Sequence, residues 1–321
     1  MKMGWKRLLG ILGGVVLGAV FLIAAWAKTL DPSAFAKQIT LEGLDFLLSA
    51  EVVALIALAL EVFLGAALVL AVRRWWILWP TSALVAFFLF LTGRSYWRFA
   101  QGIEPPEGAS CGCFGNLVER TPAEAFWQDL LLMVPALLLA YLAADRGRSG
   151  EAWPRLRMAI VGLLTVATVV VAWKAPELPL DNLATRLKPG TDAMALCAGS
   201  EEDGTRVCMD GLLPELAVGE HVVVMTELGD GPVAEQVGTL NEYHWAGLGP
   251  RLWILTSASE EELFNFRFGR GPSFEIREAP AALLQPLYRT LPRSFLVRDG
   301  EVIETYSGLP PLAELAPAGA G

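Results

Sequence analysis

The sequence predicts an all-α membrane bundle followed by an α/β domain outside the bilayer. Three observations predict it. Long apolar runs fill the chain up to about Lys174 and then stop. Lysine and arginine gather in alternate connections between those runs. Beyond Lys174, short β-branched stretches alternate with helix-like ones, the pattern of a sheet with helices on its faces. The bulk numbers agree: 54% hydrophobic residues and a mean hydropathy of +0.46 are membrane-protein values. The net charge of −9 argues against nucleic acid as a partner, because phosphate binding needs a basic surface.

Five segments are long and apolar enough to span, at about 8–27, 49–72, 75–92, 126–143 and 158–173. Trp75, Trp76, Trp79, Trp97, Trp127 and Trp173 sit near their ends, as interfacial aromatics do. Lys2, Lys6 and Arg7 precede the first segment. Arg73 and Arg74 separate the second from the third. Arg146, Arg148, Arg155 and Arg157 separate the fourth from the fifth. The positive-inside rule makes their common side cytoplasmic, so the N-terminus is expected inside and the chain after Lys174 outside. This is the topology of a multi-pass protein in a bacterial-type cytoplasmic (inner) membrane, with its C-terminal domain in the periplasm. Ala25-Trp26-Ala27 resembles a signal-peptidase site, but the apolar run before it is longer than such segments usually are. Removing that segment would leave the remaining orientation unchanged. The expected division is 1–145 for the bundle, 146–175 for a basic loop and fifth helix, and 176–321 for the outer domain.

Chemistry concentrates at two places in the membrane half. The connection between the third and fourth spans carries Cys111-Gly112-Cys113 on the outward side, where disulfides persist. A ring that small favours an exposed, exchangeable bridge over a structural one. The alternatives are a metal site or bridges to other cysteines, and the lack of histidine in this half weakens the first. The second span carries Glu61 near its middle and Glu51 near its outer end. A mid-bilayer charge costs roughly 2.5–3.5 kcal/mol on insertion scales, so such a group faces the bundle interior and has a role. Proton transfer suits Glu61; the structural alternative is pairing with an arginine between helices. Glu51 reads as an interfacial charge.

These residues carry a resemblance. Ala27-Lys28-Thr29-Leu30-Asp31-Pro32-Ser33-Ala34-Phe35 resembles the Lys-x-x-Asp-Pro-x-x-Phe signature of the MauE branch of DoxX-like membrane proteins. Glu61-Val62-Phe63-Leu64-Gly65 is similar to the family's Glu-x-x-x-Gly. Cys111-Gly112-Cys113-Phe114-Gly115 matches its most specific motif, preceded by Arg94 and Arg98. The resemblance covers about 5–145 and implies a four-helix bundle. It implies a role in methylamine utilisation, through maturation of a disulfide-rich dehydrogenase subunit, or a wider redox role. Relatives in the DoxX group are tied to quinone-linked sulfur oxidation, so a quinone is admitted as a cofactor without being firmly implied. The expected function is membrane thiol–disulfide redox chemistry on an exported thiol or disulfide client, with Cys111, Cys113 and Glu61 as the reacting groups. A non-catalytic assembly factor that holds such a client is the alternative.

The outer half resembles a thioredoxin-like domain of the TlpA or MauD kind. His221–Met225 and 251–256 read as strands, 233–245 and 260–266 as helices, and 292–297 with 301–306 as a hairpin turning at Asp299-Gly300. Leu291-Pro292 resembles the cis-proline strand of that fold, and Gly308 the glycine after its last strand. The departure is at the usual Cys-x-x-Cys, where Thr226-Glu227-Leu228-Gly229-Asp230-Gly231-Pro232 has no thiol. Cys197 and Cys208 flank a stretch with an Asp203-Gly204 turn signal. A structural disulfide is the expectation and a displaced redox pair the alternative. His221 and His244 stand singly, and the spacing of side chains suggests no metal site.

Overall fold

The computed structural model describes residues 5–72, 74–102, 120–144, 152–199, 206–229, 231–247 and 249–315. They divide into two compact units, Met1–Leu178 and Pro179–Gly321, so the last membrane helix belongs with the helices before it.

The first unit consists of α1 (Trp5–Leu30), α2 (Pro32–Leu41), α3 (Ala50–Val69), α4 (Trp75–Ala100), α5 (Pro122–Leu142) and α6 (Ala152–Lys174). All but α2 are long and apolar enough to cross a membrane. α1 packs against both α3 and α5, α4 packs on α5, and α6 lies on α3. Glycine lets α1 take that central place. A Cβ on Gly18 would stand 2.6 Å from the carbonyl oxygen of Gly65, and one on Gly13 would stand 2.6 Å from that of Ala136. In lipid, where apolar burial gives helices little reason to associate, such close backbone approach supplies the contact. Leu17, Phe21, Leu64, Leu68, Ile77, Leu78 and Met133 fill the space between the helices.

Several helix boundaries differ from the hydropathic ones, and three of them have a clear local reason. α5 begins four residues earlier than 126, because Thr121 and Glu124 form a reciprocal capping box and Pro122 takes the first helical position. α4 continues beyond Thr92 to Ala100, since the polar Arg94, Ser95 and Arg98 leave the apolar run without ending the helix. α1 continues to Leu30, which draws Lys28 out of the expected loop and into the last helical turn. α2 is an element that hydropathy misses: its ten residues are too short to span.

The second unit contains α7 (Asp181–Ala184), β1 (Cys197–Ala198), β2 (Val207–Cys208), α8 (Met209–Leu212), β3 (Glu220–Met225), α9 (Pro232–Glu235), α10 (Val237–Ala246), β4 (Arg251–Thr256), α11 (Glu260–Arg270), β5 (Glu275–Glu278), α12 (Ala281–Leu284), β6 (Arg293–Arg298), β7 (Glu301–Ser307) and α13 (Leu312–Leu315). The main sheet runs β5-β4-β3-β6-β7. β3, β4 and β5 are parallel, whereas β6 and β7 are antiparallel to their neighbours. Period-two alternation divides the central strand between two cores. Val222 and Val224 face Leu240 of α10 and Leu263 and Phe266 of α11. Val223 and Met225 face Trp253, Phe295, Leu187 and Met209. A strand–helix–strand unit followed by a hairpin on the far side of the first strand is the thioredoxin-like arrangement, here with β5 added at the edge.

The hairpin turns where expected, with both Asp299 (φ 49°) and Gly300 (φ 84°) left-handed, as a type I′ turn requires. The predicted helix at 233–245 is two helices, because the N–H of Gln236 bonds to both Pro232 and Val233 and tightens the turn there. α11 runs past Phe266 to Arg270 and stops at Gly271 (φ 62°). β5 escapes a hydropathy reading because Glu275-Ile276-Arg277-Glu278 is a charged edge strand, a form that discourages further pairing.

Candidate functional site

The Lys-x-x-Asp-Pro-x-x-Phe stretch is a helix–break–helix corner. Asp31 caps α2, accepting from the N–H of Ala34 (3.0 Å) and the hydroxyl of Ser33 (2.7 Å). Pro32 takes the first helical position, where it loses no intrahelical hydrogen bond. The corner folds α2 back so that the Phe35 ring lies 4.6 Å from Lys28 Nζ. The Phe88 ring of α4 lies 5.1 Å from the same ammonium. Lys28 in turn donates to Glu61 Oε1 from α3. Both are buried, Glu61 completely and Lys28 with 6% of its surface exposed. Glu61 therefore has a partner between helices, but it is Lys28 and not an arginine. Glu61 Oε2 is buried without a hydrogen-bond partner among the described residues.

Other motif residues support this core. Gly65 gives α1 its close approach one turn beyond Glu61. Arg94 ties α4 to the end of α2 through Glu42, at 2.9 Å. Arg98 lies a turn further along α4, half-buried, and Glu51 is exposed in the first turn of α3. Cys111, Cys113, Phe114 and Gly115 lie outside the described residues. Their segment leaves α4 after Ala100 and returns before α5. At the return, the partly buried Arg120 pairs with the buried Asp129 at 3.3 Å. Asp129 was missed in the sequence, although it is an acid inside an apolar span, the same signal that singles out Glu61.

Residues 6–142 match the family model described as methylamine utilisation protein MauE. The membrane unit is thus similar to the MauE family over less than half of the chain. A search of curated proteins finds no match. Two of the solved structures that resemble the chain are a putative thiol:disulfide interchange protein DsbE from Chlorobium tepidum and the thioredoxin domain of a thiol–disulfide oxidoreductase from Bacteroides vulgatus. The first is 17% identical, covers 40% of this chain and 91% of its own, and gives a TM-score of 0.31. The second is 13% identical, covers 37% and 88%, and gives 0.29. At these scores the strand order, not the overlap, carries the fold.

The domain that follows has the thioredoxin-like strand order, and the turn after β3 has no cysteine. Met225 pairs with Arg293 across β3 and β6. The turn that starts at Thr226 is thus beside the Leu291–Pro292 peptide, which is cis. Tyr288 lies close by, and burial together with the Glu227 carboxylate pushes its phenol up. Cys197 and Cys208 face each other across β1 and β2 and form a disulfide. Its surroundings are half-buried, and the Arg206 guanidinium is 3.6 Å from Cys197 Sγ. His221 is a structural residue: Trp253 Nε1 donates to its Nδ1 at 3.1 Å, and its Nε2–H donates to the Val218 carbonyl at 2.9 Å. His244 is half-buried in the last turn of α10. Among the described residues no group of three His, Cys, Asp or Glu side chains is placed to hold a metal.

Sequence reasoning missed Arg293, the residue after the cis peptide. It is buried at the start of β6. It donates to Thr185 Oγ1 (2.6 Å), Leu287 O (3.0 Å), Asn182 Oδ1 (3.2 Å) and Leu187 O (2.9 Å). Burial opposes its charge, and Asp181 at 3.9 Å supports it. An arginine beside a proline in a strand gives no warning of this.

Proposed function

We propose that the chain is a membrane thiol–disulfide redox protein in which Cys111 and Cys113 exchange disulfides with an exported client. Placement in a membrane is supported by the five apolar helices and the likeness to the MauE family. The redox reading is supported by the Lys28–Glu61 pair, a charge pair kept inside an apolar bundle whose α4 and α5 flank the Cys-Gly-Cys segment in the chain. Replacing a buried ion pair by apolar side chains is often neutral or stabilising, so a fold under selection for stability alone has no need of it. Oxidation of a client dithiol transfers two electrons to the Cys111–Cys113 disulfide, and reoxidation of that pair releases two protons. Glu61, hydrogen-bonded to Lys28, offers a proton-handling group in the bundle. A methylamine-dehydrogenase-type client fits the family's description, and orientation in an inner membrane puts the exchange on the oxidising side.

The outer domain favours a companion role. With no cysteine in its β3–α9 turn it binds a client rather than oxidising one, which is also what a non-catalytic docking factor would do. The two readings separate in cells. Cys113→Ser should trap Cys111 in mixed disulfides with client, seen as reducible adducts of the full chain on a non-reducing gel. The double variant with Cys111→Ser should show no such adducts and should leave exported client thiols open to alkylation. Client disulfides forming normally in the double variant would leave docking as the function.

A further inference from the structure

A cavity of about 240 Å³ lies within the membrane unit, between α1, α2, α3, α4 and α5. Phe35, Ile39, Val53, Leu84, Phe87 and Phe88 give it an apolar, aromatic wall. Its polar groups stand at two levels. Lys28 lines it between the rings of Phe35 and Phe88. Glu42 lies seven residues beyond Phe35, and Ser95 seven beyond Phe88. Each is thus about 10 Å further along its helix, at a polar mouth. Arg94 meets Glu42 there. The cavity also has an apolar rim: Phe87 lines it and is 40% exposed, and Phe46 and Leu47, after α2, are exposed as well.

We infer that this cavity holds one acyl chain of a zwitterionic phospholipid whose headgroup carries a primary ammonium, as phosphatidylethanolamine does. The chain lies against the aromatic wall, an ester carbonyl accepts from Lys28 Nζ, and the headgroup sits on the Glu42–Arg94 pair. Membrane-spanning helices surround the cavity and its rim is apolar, so bilayer lipid is the ligand at hand. Charge selects the class. Lys28 is balanced by Glu61, and Glu42 by Arg94. A fatty acid or an anionic phospholipid would add an uncompensated charge, and basic pockets of the kind that hold anionic headgroups have no acid beside the arginine. A zwitterion adds no net charge and meets the pair with opposite polarity, phosphate to Arg94 and ammonium to Glu42. Both partners have capacity for it. Glu42 Oε2 is 2.9 Å from Arg94 but is buried without a hydrogen bond among the described residues. A guanidinium has five N–H donors, and that of Arg94 is 37% exposed. Deeper in, an ammonium has three donors, and Glu61 takes one hydrogen bond from Lys28 among the described residues. A neutral ester carbonyl satisfies another without adding charge. The Lys28–Glu61 pair then holds a lipid in register as well as two helices together.

The test counts retained lipid on the full chain. The protein is reconstituted in nanodiscs of equal parts dioleoyl phosphatidylethanolamine and dioleoyl phosphatidylglycerol, released into mild detergent, and weighed by native mass spectrometry. One phospholipid per chain should survive, with the ethanolamine lipid favoured roughly fivefold, the scale of one charge-assisted hydrogen bond at a partly exposed site. Glu42→Gln should bring that ratio to one or below while a lipid is still retained. A diether phosphatidylethanolamine, which lacks the ester carbonyls, should be retained roughly tenfold less by the unaltered chain, as expected for loss of a buried hydrogen bond from a charged donor. Leu84→Trp and Ala57→Leu fill the cavity from α4 and from α3, and each should lose the retained lipid. Two variants guard against a misfolded one, and helical circular dichroism with a single gel-filtration peak identifies the folded ones. Unchanged retention in a folded filling variant, no preference between the two headgroups, equal retention of the diether lipid, or recovery of a different lipophile from the site would overturn the inference.

Discussion

At the scale of single residues, the Lys28–Glu61 pair buries two opposite charges within the membrane unit. Two charges out of water are tolerated when each compensates the other, and removal of one partner from a buried pair typically costs about 3–5 kcal/mol. Lys28→Met and Glu61→Leu should each destabilise the chain on that scale. The double variant should recover most of the loss, because the remaining groups are apolar and match the site. Denaturant titration in mixed micelles reads this as a coupling energy; losses that simply add would show that the two side chains do not depend on each other. Glu61 was legible in the sequence because a carboxylate inside an apolar run has few innocent explanations. Its partner was not. Lys28 lies at the end of a span, where a cation normally reaches into the headgroups, and it is buried because α1 runs three residues further than the apolar run. Asp129 was overlooked in the same way: a cation at the border, Arg120, completes a pair that a hydropathy profile reads as two separate boundary charges.

At the scale of elements, capping chemistry sets helix ends that hydropathy does not see. Ser259 and Glu262 form a capping box at the start of α11, as Thr121 and Glu124 do for α5. Backbone and side-chain hydrogen bonds from Ser259 hold the Glu262 carboxyl below its ordinary value of 4.5. A depressed carboxylate contributes stability above its unfolded-state value, and the contribution is lost as pH falls through the lower folded-state one. α11 should therefore keep its full protection at neutral pH and begin to lose it below about pH 4.5. Hydrogen exchange of the 260–264 amides, corrected for intrinsic rate, checks this. Glu262→Gln should start less protected and lose that pH dependence, and an unchanged acid profile in the variant would assign the effect to another group. The alternating strands of the sheet were legible because β3, β4 and β6 are buried on both faces. β5 was not, since an edge strand needs charge more than it needs apolar surface.

At the scale of the whole molecule, the division into a membrane part and an α/β part followed from where the apolar runs end, a property that composition alone reveals. From the clustered arginines we propose that the α/β part lies outside the cytoplasm. A phosphatase reporter that folds only outside the cytoplasm, fused after Gly321, should be active, and a fusion after Arg148 should be silent; the reverse pattern would invert the topology. Less legible was the way the second unit holds the chain that enters it. Asn182 accepts from Arg293 of β6 and from Thr305 of β7, and Asp181 accepts from Ser307 at 2.7 Å. The consequence is mechanical. A pull arriving along the chain at this point is delivered to two strands of the sheet at once, through several side-chain hydrogen bonds loaded together. The entry segment behaves as a rivet rather than a thread end, and force is shared into the strand that begins beside Pro292 before any of the domain can peel away.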